Sequence, residues 1–188
     1  MRIVHVLPTR SSTYGGPVAV ADQLARAFAA EGHDASILPE GVLRPVRLGG
    51  TLVYRLSREE AARLRSRVRE VDIVHVHGLW NLPCTVACHF ARRASTPYIV
   101  TPHGMLARWS LTQSRWKKQL YGRLLERRNL SGAAAIHFLN NSERAEALAY
   151  GLTVPTFVLA NGIEGSLLRL ERTRDGLDAI VPAARGRT

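Results

Sequence analysis

The sequence predicts a doubly wound α/β domain, in which a mainly parallel sheet is flanked by helices. Short apolar runs rich in β-branched residues alternate with segments of helical periodicity along most of the 188 residues. Such an alternation favours parallel strands that are joined through right-handed helical crossovers. An apolar content of 46% in a chain of this length also suffices for the core of one domain.

The strands are predicted from short apolar runs that end in polar, glycine or histidine residues. The first and fourth runs are dense in Val and Ile, which is typical of buried strands, whereas the second and third runs are weaker. In chain order, the predicted strands cover residues 2–7, 34–38, 51–54, 72–76, 98–101, 134–139 and 156–159.

The helices are predicted from start and stop signals combined with a periodic apolar face. Pro17 suits the first position of a helix that ends at Gly32. Ser57 and Glu60 fit a capping box that opens the next helix, and Ser142 is expected to cap a short helix later in the chain. Between the later strands, two further helices are predicted over residues 83–94 and 113–130.

The net charge of +11 is concentrated in the middle of the chain. Residues 55–130 contain fifteen basic and five acidic residues, and 24 of the 26 cations in the whole chain are Arg. A basic segment of this kind suits nucleic acid, anionic lipid or phosphorylated substrates, although GC-rich coding also favours Arg. The sequence contains no nucleic-acid recognition motif, so we expect no nucleic-acid partner.

The helix predicted over residues 113–130 carries both apolar and basic side chains. Its apolar arc includes Trp116, Leu120 and Leu124, while the cations are scattered around the helix instead of gathering on one face. This pattern favours packing of the arc against the protein, with partial solvation, over contact with a membrane.

Several classes of protein are excluded by the sequence. No stretch reaches the roughly 18 consecutive apolar residues of a spanning helix, and the first residues do not resemble a secretory signal. The two cysteines, Cys84 and Cys88, lie one helical turn apart and are expected to be buried as small apolar groups. We therefore expect a cytoplasmic protein in a reducing compartment.

Functional residues are expected at one edge of the predicted sheet. The carboxyl ends of parallel strands meet there, and sheets of this type bind their ligands outside those ends. The segments that follow the strands are rich in Gly, His, Asn and Tyr, which indicates a ligand-binding edge. These segments comprise residues 12–17, 77–80, 102–105, 140–143 and 161–163.

Gly15 and Gly16, followed by Pro17, form the first candidate site. Two glycines allow a ligand to approach the backbone closely, and the helix that begins at Pro17 directs free amides and its positive dipole end toward the same place. A phosphate site and a plain tight turn are equally compatible with this pattern. The spacing matches neither G-x-G-x-x-G nor a P-loop, which disfavours ordinary dinucleotide or ATP binding.

Histidines supply the second set of candidates. His103 lies between a proline and a glycine, which would hold its imidazole at the sheet edge to bind a hydroxyl or a phosphate or to transfer a proton. A purely structural histidine is the alternative. His75 and His77 share one face of a strand, but no residue supplies a third ligand at metal spacing, so we expect no metal. His77, at the end of the strand, is the functional candidate of the pair.

Five motifs in order resemble the N-terminal domain of the family 4 retaining glycosyltransferases. The motifs are residues 15–17 with Leu24 and 32–33, then residues 72–80, 101–105, 135–140 and 158–164. The resemblance implies a Rossmann-like domain that forms the N-terminal half of a two-domain GT-B architecture. It also implies transfer of a sugar from a nucleotide-sugar donor to an acceptor, with retained configuration and without a metal or other cofactor.

The resemblance also implies roles for individual residues. Gly15 and Gly16 would bind the donor diphosphate, and His103 would lie beside the transferred sugar as the catalytic candidate. The acceptor would be a sugar or a lipid-linked precursor of a cell-surface polysaccharide, which implies peripheral contact with the inner face of the membrane. The acceptor- or substrate-binding candidates are Tyr14, His77, Trp80, Arg108, Glu143 and Asn161.

The sequence departs from the family pattern after about residue 164. In the family, a second α/β domain follows, and it supplies most donor contacts and a pair of carboxylates. We expect residues 1–164 to form the acceptor-side domain, residues 165–188 to form an atypical short-helical or disordered tail, and a separate C-terminal domain to bind the donor. The chain alone would then be weakly active or inactive. A noncatalytic module that binds an acceptor or an anionic membrane through residues 105–128 is the alternative.

Overall fold

A computed structural model describes residues 1–163 of the chain, apart from residues 41, 42, 44, 49, 50 and 114. The strands are β1 (Arg2–Val6), β2 (Asp34–Leu38), β3 (Pro45–Leu48), β4 (Thr51–Tyr54), β5 (Ile73–His77), β6 (Tyr98–Thr101), β7 (Ala135–Phe138) and β8 (Thr156–Val158). The α-helices are α1 (Gly16–Ala30), α2 (Arg58–Glu70), α3 (Leu82–Ala94), α4 (Arg108–Thr112), α5 (Arg115–Tyr121), α6 (Arg127–Ser131) and α7 (Asn141–Leu148). The predicted tail at 165–188 lies outside the described residues.

Six of the strands form one parallel sheet in the order β2-β1-β5-β6-β7-β8. Strand β1 lies second in the sheet, with only β2 on one side of it and β5 to β8 on the other. Apolar side chains of the strands and of α2 and α3 form the main core, which includes Val4, Val68, Val100 and Phe138. The predicted doubly wound, Rossmann-like fold class is confirmed.

Polar caps fix the beginnings of three helices at or near the sheet edge. The capping box of α2 is present, since Glu60 N donates to Ser57 Oγ at 3.1 Å and Ser57 N donates to a Glu60 carboxylate oxygen at 2.7 Å. The side chain of Asn81 caps α3. Asn140, and not Ser142 as predicted, caps α7, because β7 ends at Phe138 and the chain turns into the helix two residues earlier.

A small hairpin lies outside the predicted parallel sheet. The predicted strand at 51–54 exists, but β4 pairs antiparallel with β3 in a separate two-stranded sheet. Strand β3 was not predicted, because its four residues include Pro45 and lack a sustained apolar alternation. The pairing of Pro45 with Tyr54 and of Val46 with Val53 sets the register.

The helix predicted over 113–130 is divided into shorter segments. Helix α5 runs into a π-helical turn at Gly122–Glu126, which continues into α6. The wider turn buries both Gly122 and Glu126, and a Cβ atom at Gly122 would lie only 2.7 Å from the Tyr150 hydroxyl. The π turn therefore packs closely at Gly122 against Tyr150, in the segment after α7, and against Trp80.

The expectation that the apolar arc of this helix packs against the protein is wrong for most of its members. Trp116, Leu120 and Leu124 are 67%, 55% and 66% exposed, and Trp109 of α4 is 76% exposed. Tyr121 is the member that turns inward, where its hydroxyl lies 2.7 Å from Thr85 Oγ1. Within the described residues, no helix combines the length and the apolar character needed to cross a membrane.

Candidate active site

The loops that follow the strands meet at one edge of the sheet, as the parallel topology requires. Five residues in these loops have positive φ, namely Gly15 (82°), Gly78 (106°), Trp80 (61°), His103 (51°) and Gly104 (75°). Left-handed backbone is unfavourable for residues that carry a side chain, so the surroundings must hold Trp80 and His103 in place. Backbone strain of this kind gathers at functional sites.

Helix α1 begins at this edge with an uncapped N-terminus. Gly15 is the N-cap residue, Pro17 follows in the first turn, and no side chain of the described residues caps the end. Gly16 is exposed, and a Cβ atom added to it would meet no atom within 4 Å. The packing of the protein therefore does not require glycine at position 16. Pro17 has no N–H and the amide of Val18 donates to Gly15 O at 3.1 Å, so the Gly16 amide and the positive dipole end of α1 are what this helix offers an anion such as phosphate.

His103 is the imidazole closest to the edge, two residues after the end of β6. It is half-buried, and its Nε2 lies 3.2 Å from Nδ1 of His77. Burial, reinforced by repulsion from His137, lowers the pKa of His103 to about 4. The ring is therefore neutral near pH 7, which suits it to hydrogen bonding or proton acceptance and not to supplying a fixed positive charge.

Glu143 holds the His103 loop against the loop that follows β7. One of its carboxylate oxygens accepts from Gly104 N at 2.6 Å, and the other accepts from Leu139 N at 2.9 Å. The residue is 8% exposed, so little water competes for these bonds. With both oxygens engaged by backbone amides, Glu143 acts as a positioning residue for His103. Its predicted contact with substrate stays a prediction.

His77 connects His103 to the interior of the sheet. Its Nε2 lies 3.0 Å from Nδ1 of His5, a fully buried residue of β1. A neutral imidazole carries one N–H, so His77 donates in one of its two bonds and accepts in the other. Burial lowers the pKa of His5 to about 4 and also places the pKa of His77 well below its usual range, where neighbouring histidines lower it further.

A second row of polar groups runs beside the first on the same face of the sheet. His75 Nε2 lies 2.7 Å from Thr101 Oγ1, which in turn lies 3.0 Å from Nδ1 of His137. His137 Nε2 donates to Leu159 O at 2.8 Å. Neither His5 nor His137 was predicted as a site residue. Both sit within strands, and only the pairing of β1 with β5 and of β6 with β7 aligns them with the other histidines.

Comparison with known proteins identifies the family of the chain. Residues 15–162 match the family described as the glycosyl transferase 4-like domain. The chain belongs to this family. No curated protein matches the sequence. Among solved structures, the chain is similar to MurG of Acinetobacter baumannii, with 11% identity, a TM-score of 0.44, and coverage of 87% of this chain and 47% of MurG. The chain thus spans about half the length of that protein.

Two of the candidate acceptor residues of this glycosyl transferase 4-like domain lie against the His103 loop or its neighbours. Trp80 donates from its backbone N to Glu126 at 3.0 Å and from its indole Nε1 to Met105 O at 3.3 Å. Tyr14 is half-buried, and its hydroxyl would be 3.0 Å from a Cβ atom at Gly78. Both side chains therefore support the loops at the edge of the sheet, whatever further contacts they make with a ligand.

The remaining candidates are exposed. The backbone N of Arg108 donates to Glu146 at 2.7 Å, at the start of α4. Asn161 lies in the segment after β8, where it lines a groove of about 300 Å³ between α1 and His137. A second cavity, of about 250 Å³, lies beside Trp80. Its lining includes the basic residues Lys118, Arg123 and Arg127.

Proposed function

We propose that this domain transfers a sugar, with retained configuration, from a nucleotide-sugar donor to an acceptor at the carboxyl edge of the sheet. Membership of the glycosyl transferase 4-like family supports glycosyl transfer in general terms. The observation that carries the finer proposal is the open N-terminus of α1 at Gly15 and Gly16. It shares the edge with His103, the only positive-φ histidine among the described residues.

The donor diphosphate would bind at the N-terminus of α1. Position 16 carries a glycine where neither φ nor packing demands one, which leaves room for a ligand to contact the backbone. A diphosphate would gain hydrogen bonds from amides there and a favourable interaction with the helix dipole. In this proposal, the diphosphate binds through the helix N-terminus without a metal or other cofactor.

His103 would bind the transferred sugar. Its neutral imidazole offers hydrogen-bonding atoms to hydroxyl groups, and Glu143 and His77 fix the loop and the ring. A group that is held in advance in the geometry of the reaction spends less free energy on ordering during catalysis. His103 is therefore the catalytic residue of the proposal, acting as a hydrogen-bonding and electrostatic partner.

The acceptor would be lipid-linked and presented at the inner face of the membrane. The exposed apolar side chains of α4, α5 and the π turn lie among the most basic part of the sequence, which combines interfacial aromatic residues with cations. We call Trp109, Trp116, Leu120 and Leu124 the apolar surface. As the resemblance to the family 4 glycosyltransferases implies, a donor-binding C-terminal domain would complete the site.

Gly16→Ala tests the proposal with little risk to the fold. Alanine fits the helix, so we expect an unchanged or slightly raised melting temperature. The new methyl group would stand where the diphosphate approaches, so affinity for nucleoside diphosphates should fall at least about tenfold in isothermal titration, equivalent to about 1.4 kcal/mol. Ala19→Ser, which adds one atom at an exposed position of the same helix, is the control. Equal affinity in wild type and Gly16→Ala would contradict the proposal.

The alternative is a noncatalytic module that binds anionic membranes, and the apolar surface is the observation that favours it. Vesicles that contain anionic lipid should sediment the wild-type protein but release most of a Trp109→Ala, Leu124→Ala double variant. If this binding persists while the protein shows no affinity for any nucleoside diphosphate, the alternative replaces the transferase proposal. If neither ligand binds, both proposals are wrong.

A further inference from the structure

Three imidazoles from two neighbouring strands converge on one face of the sheet. His5 of β1 pairs in register with His75 of β5, and His77 follows two residues later, so all three side chains point to the same face. One ring nitrogen of each lies within 4.8 Å of one ring nitrogen of the others. The pairing of β1 with β5 thus supplies the third ligand that sequence spacing alone did not reveal.

Burying these three imidazoles costs more free energy than burying apolar side chains at the same core positions. Positions of this kind in a buried parallel sheet are usually apolar, and each neutral imidazole must satisfy two nitrogens there. The Nε2 atom of His5 is buried and has no hydrogen-bond partner among the described residues. A buried polar atom without a partner costs roughly 1–3 kcal/mol, so the protein loses stability by keeping His5 in this cluster.

His75 and His77 each use one ring nitrogen in a hydrogen bond to a neighbouring residue, as metal-binding histidines do. His77 Nδ1 contacts His103, which leaves Nε2 for a ligand, and His75 Nε2 contacts Thr101, which leaves Nδ1. Histidine ligands ordinarily fix their second nitrogen through such a partner. Nε2 of His77 already lies 3.0 Å from Nδ1 of His5, which is close to the separation of two nitrogens bound to one ion at about 2.0–2.1 Å.

We propose that His5, His75 and His77 together bind one divalent transition-metal ion of the zinc type. Imidazole nitrogen suits zinc, cobalt, nickel and copper, whereas it is a poor ligand for magnesium or calcium. His75 is only partly buried, whereas His5 and His77 are buried.

This site is separate from the sugar-transfer chemistry, although a hydrogen bond connects the two. An ion on Nε2 of His77 would place the remaining proton on Nδ1, so His77 would donate to Nε2 of His103. The proton of His103 would then sit on its own Nδ1. Metal binding would thereby select one tautomer of the candidate catalytic residue, without requiring the ion to touch substrate.

The test is titration of the tag-free, full-length protein with zinc chloride. We expect one equivalent to bind saturably below about 100 µM in calorimetry, as a site with three nitrogen ligands should allow. Imidazole ¹⁵N signals of His5, His75 and His77 should move, and His103 should show a change of tautomer. The half-buried His33 and the exposed His89 should not respond. Absence of saturable binding, or responses confined to His33 and His89, would overturn the proposal.

Matched variants separate this cluster from adventitious sites. His75→Asn should weaken zinc binding at least about tenfold, and Thr101→Val, which removes the partner of a ligand, should weaken it about 10- to 100-fold. The zinc affinities of His89→Gln and His33→Gln should equal that of wild type. His33 is included as a control because its Nδ1 lies 3.4 Å from the N-terminal amine, and two neighbouring nitrogens can bind an adventitious ion. Unchanged affinity in a folded His75→Asn protein would refute the assignment. If that variant does not fold, the ¹⁵N map of the wild-type protein decides the question.

Discussion

Glu143→Gln tests whether one buried carboxylate positions the His103 loop. In the wild-type protein, its two oxygens accept from Gly104 N at 2.6 Å and from Leu139 N at 2.9 Å. Glutamine retains the shape and one acceptor, but it places an NH₂ group against the other backbone N–H. The variant therefore loses one charge-assisted hydrogen bond and leaves one buried amide without an acceptor.

The expected loss of stability follows from these two contacts. A hydrogen bond to a charged group contributes about 1.5–3 kcal/mol, and at 8% exposure water replaces little of it. We expect the free energy of unfolding to fall by about 2–3 kcal/mol. For a chain of this size, that change lowers the melting temperature by about 4–12 °C.

Thermal and urea unfolding followed by circular dichroism measure this change. Glu146→Gln is the matched control, because Glu146 accepts one backbone amide, from Arg108, at an exposed position. We expect the control to lose less than about 1 kcal/mol. If Glu143→Gln lies within about 0.5 kcal/mol of wild type, or loses no more than the control, the positioning role is wrong. Loss of ligand binding at full stability would instead indicate direct contact with substrate.

Three further predictions concern packing, pH and activity. Gly122→Ala should destabilise the protein by about 1–3 kcal/mol, because its Cβ would lie 2.7 Å from the Tyr150 hydroxyl, and adding Tyr150→Phe should recover part of the loss in urea unfolding. The pKa of His5 is about 4 in the folded protein, below the ordinary 6.5 of the unfolded chain. Between pH 6.5 and pH 4 the unfolded chain therefore binds more protons, so the free energy of unfolding should fall as the pH decreases. The drop from pH 6.5 to 5 should be about 2 kcal/mol for His5 alone, and a flat pH profile in chemical denaturation would contradict it. The purified chain should transfer little or no radiolabelled sugar from nucleotide sugars, and robust transfer would disprove the need for a separate donor-binding domain.

The fold could be predicted because its signals are local. Apolar runs, the Ser57 capping box and glycine or proline at helix ends each occupy a few consecutive residues, and the crossover rule converts their alternation into a parallel sheet. Hairpin strand β3 carries no such signal. Its pairing with β4 depends on tertiary context, which periodicity does not record.

The site could be predicted only in part. Gly15, Gly16 and His103 follow strands, so the rule about carboxyl ends places them at the edge. His5 and His137 could not be found this way, because they lie within strands and meet the other histidines only through sheet register. The apolar surface was missed for a related reason. Periodicity groups Trp116 and Leu120 on one arc, but it does not tell whether anything covers that arc.

Backbone amide NMR during titration with a nucleoside-diphosphate sugar tests the central claim most directly. The account predicts saturable shifts at Gly15, Gly16, His103 and Gly104, with smaller changes elsewhere in the described part of the chain. The same titration of Gly16→Ala should require at least about ten times more ligand. Shifts confined to α4, α5 and the π turn, or no saturable shift at the edge of the sheet, would contradict the claim that this edge binds the sugar donor.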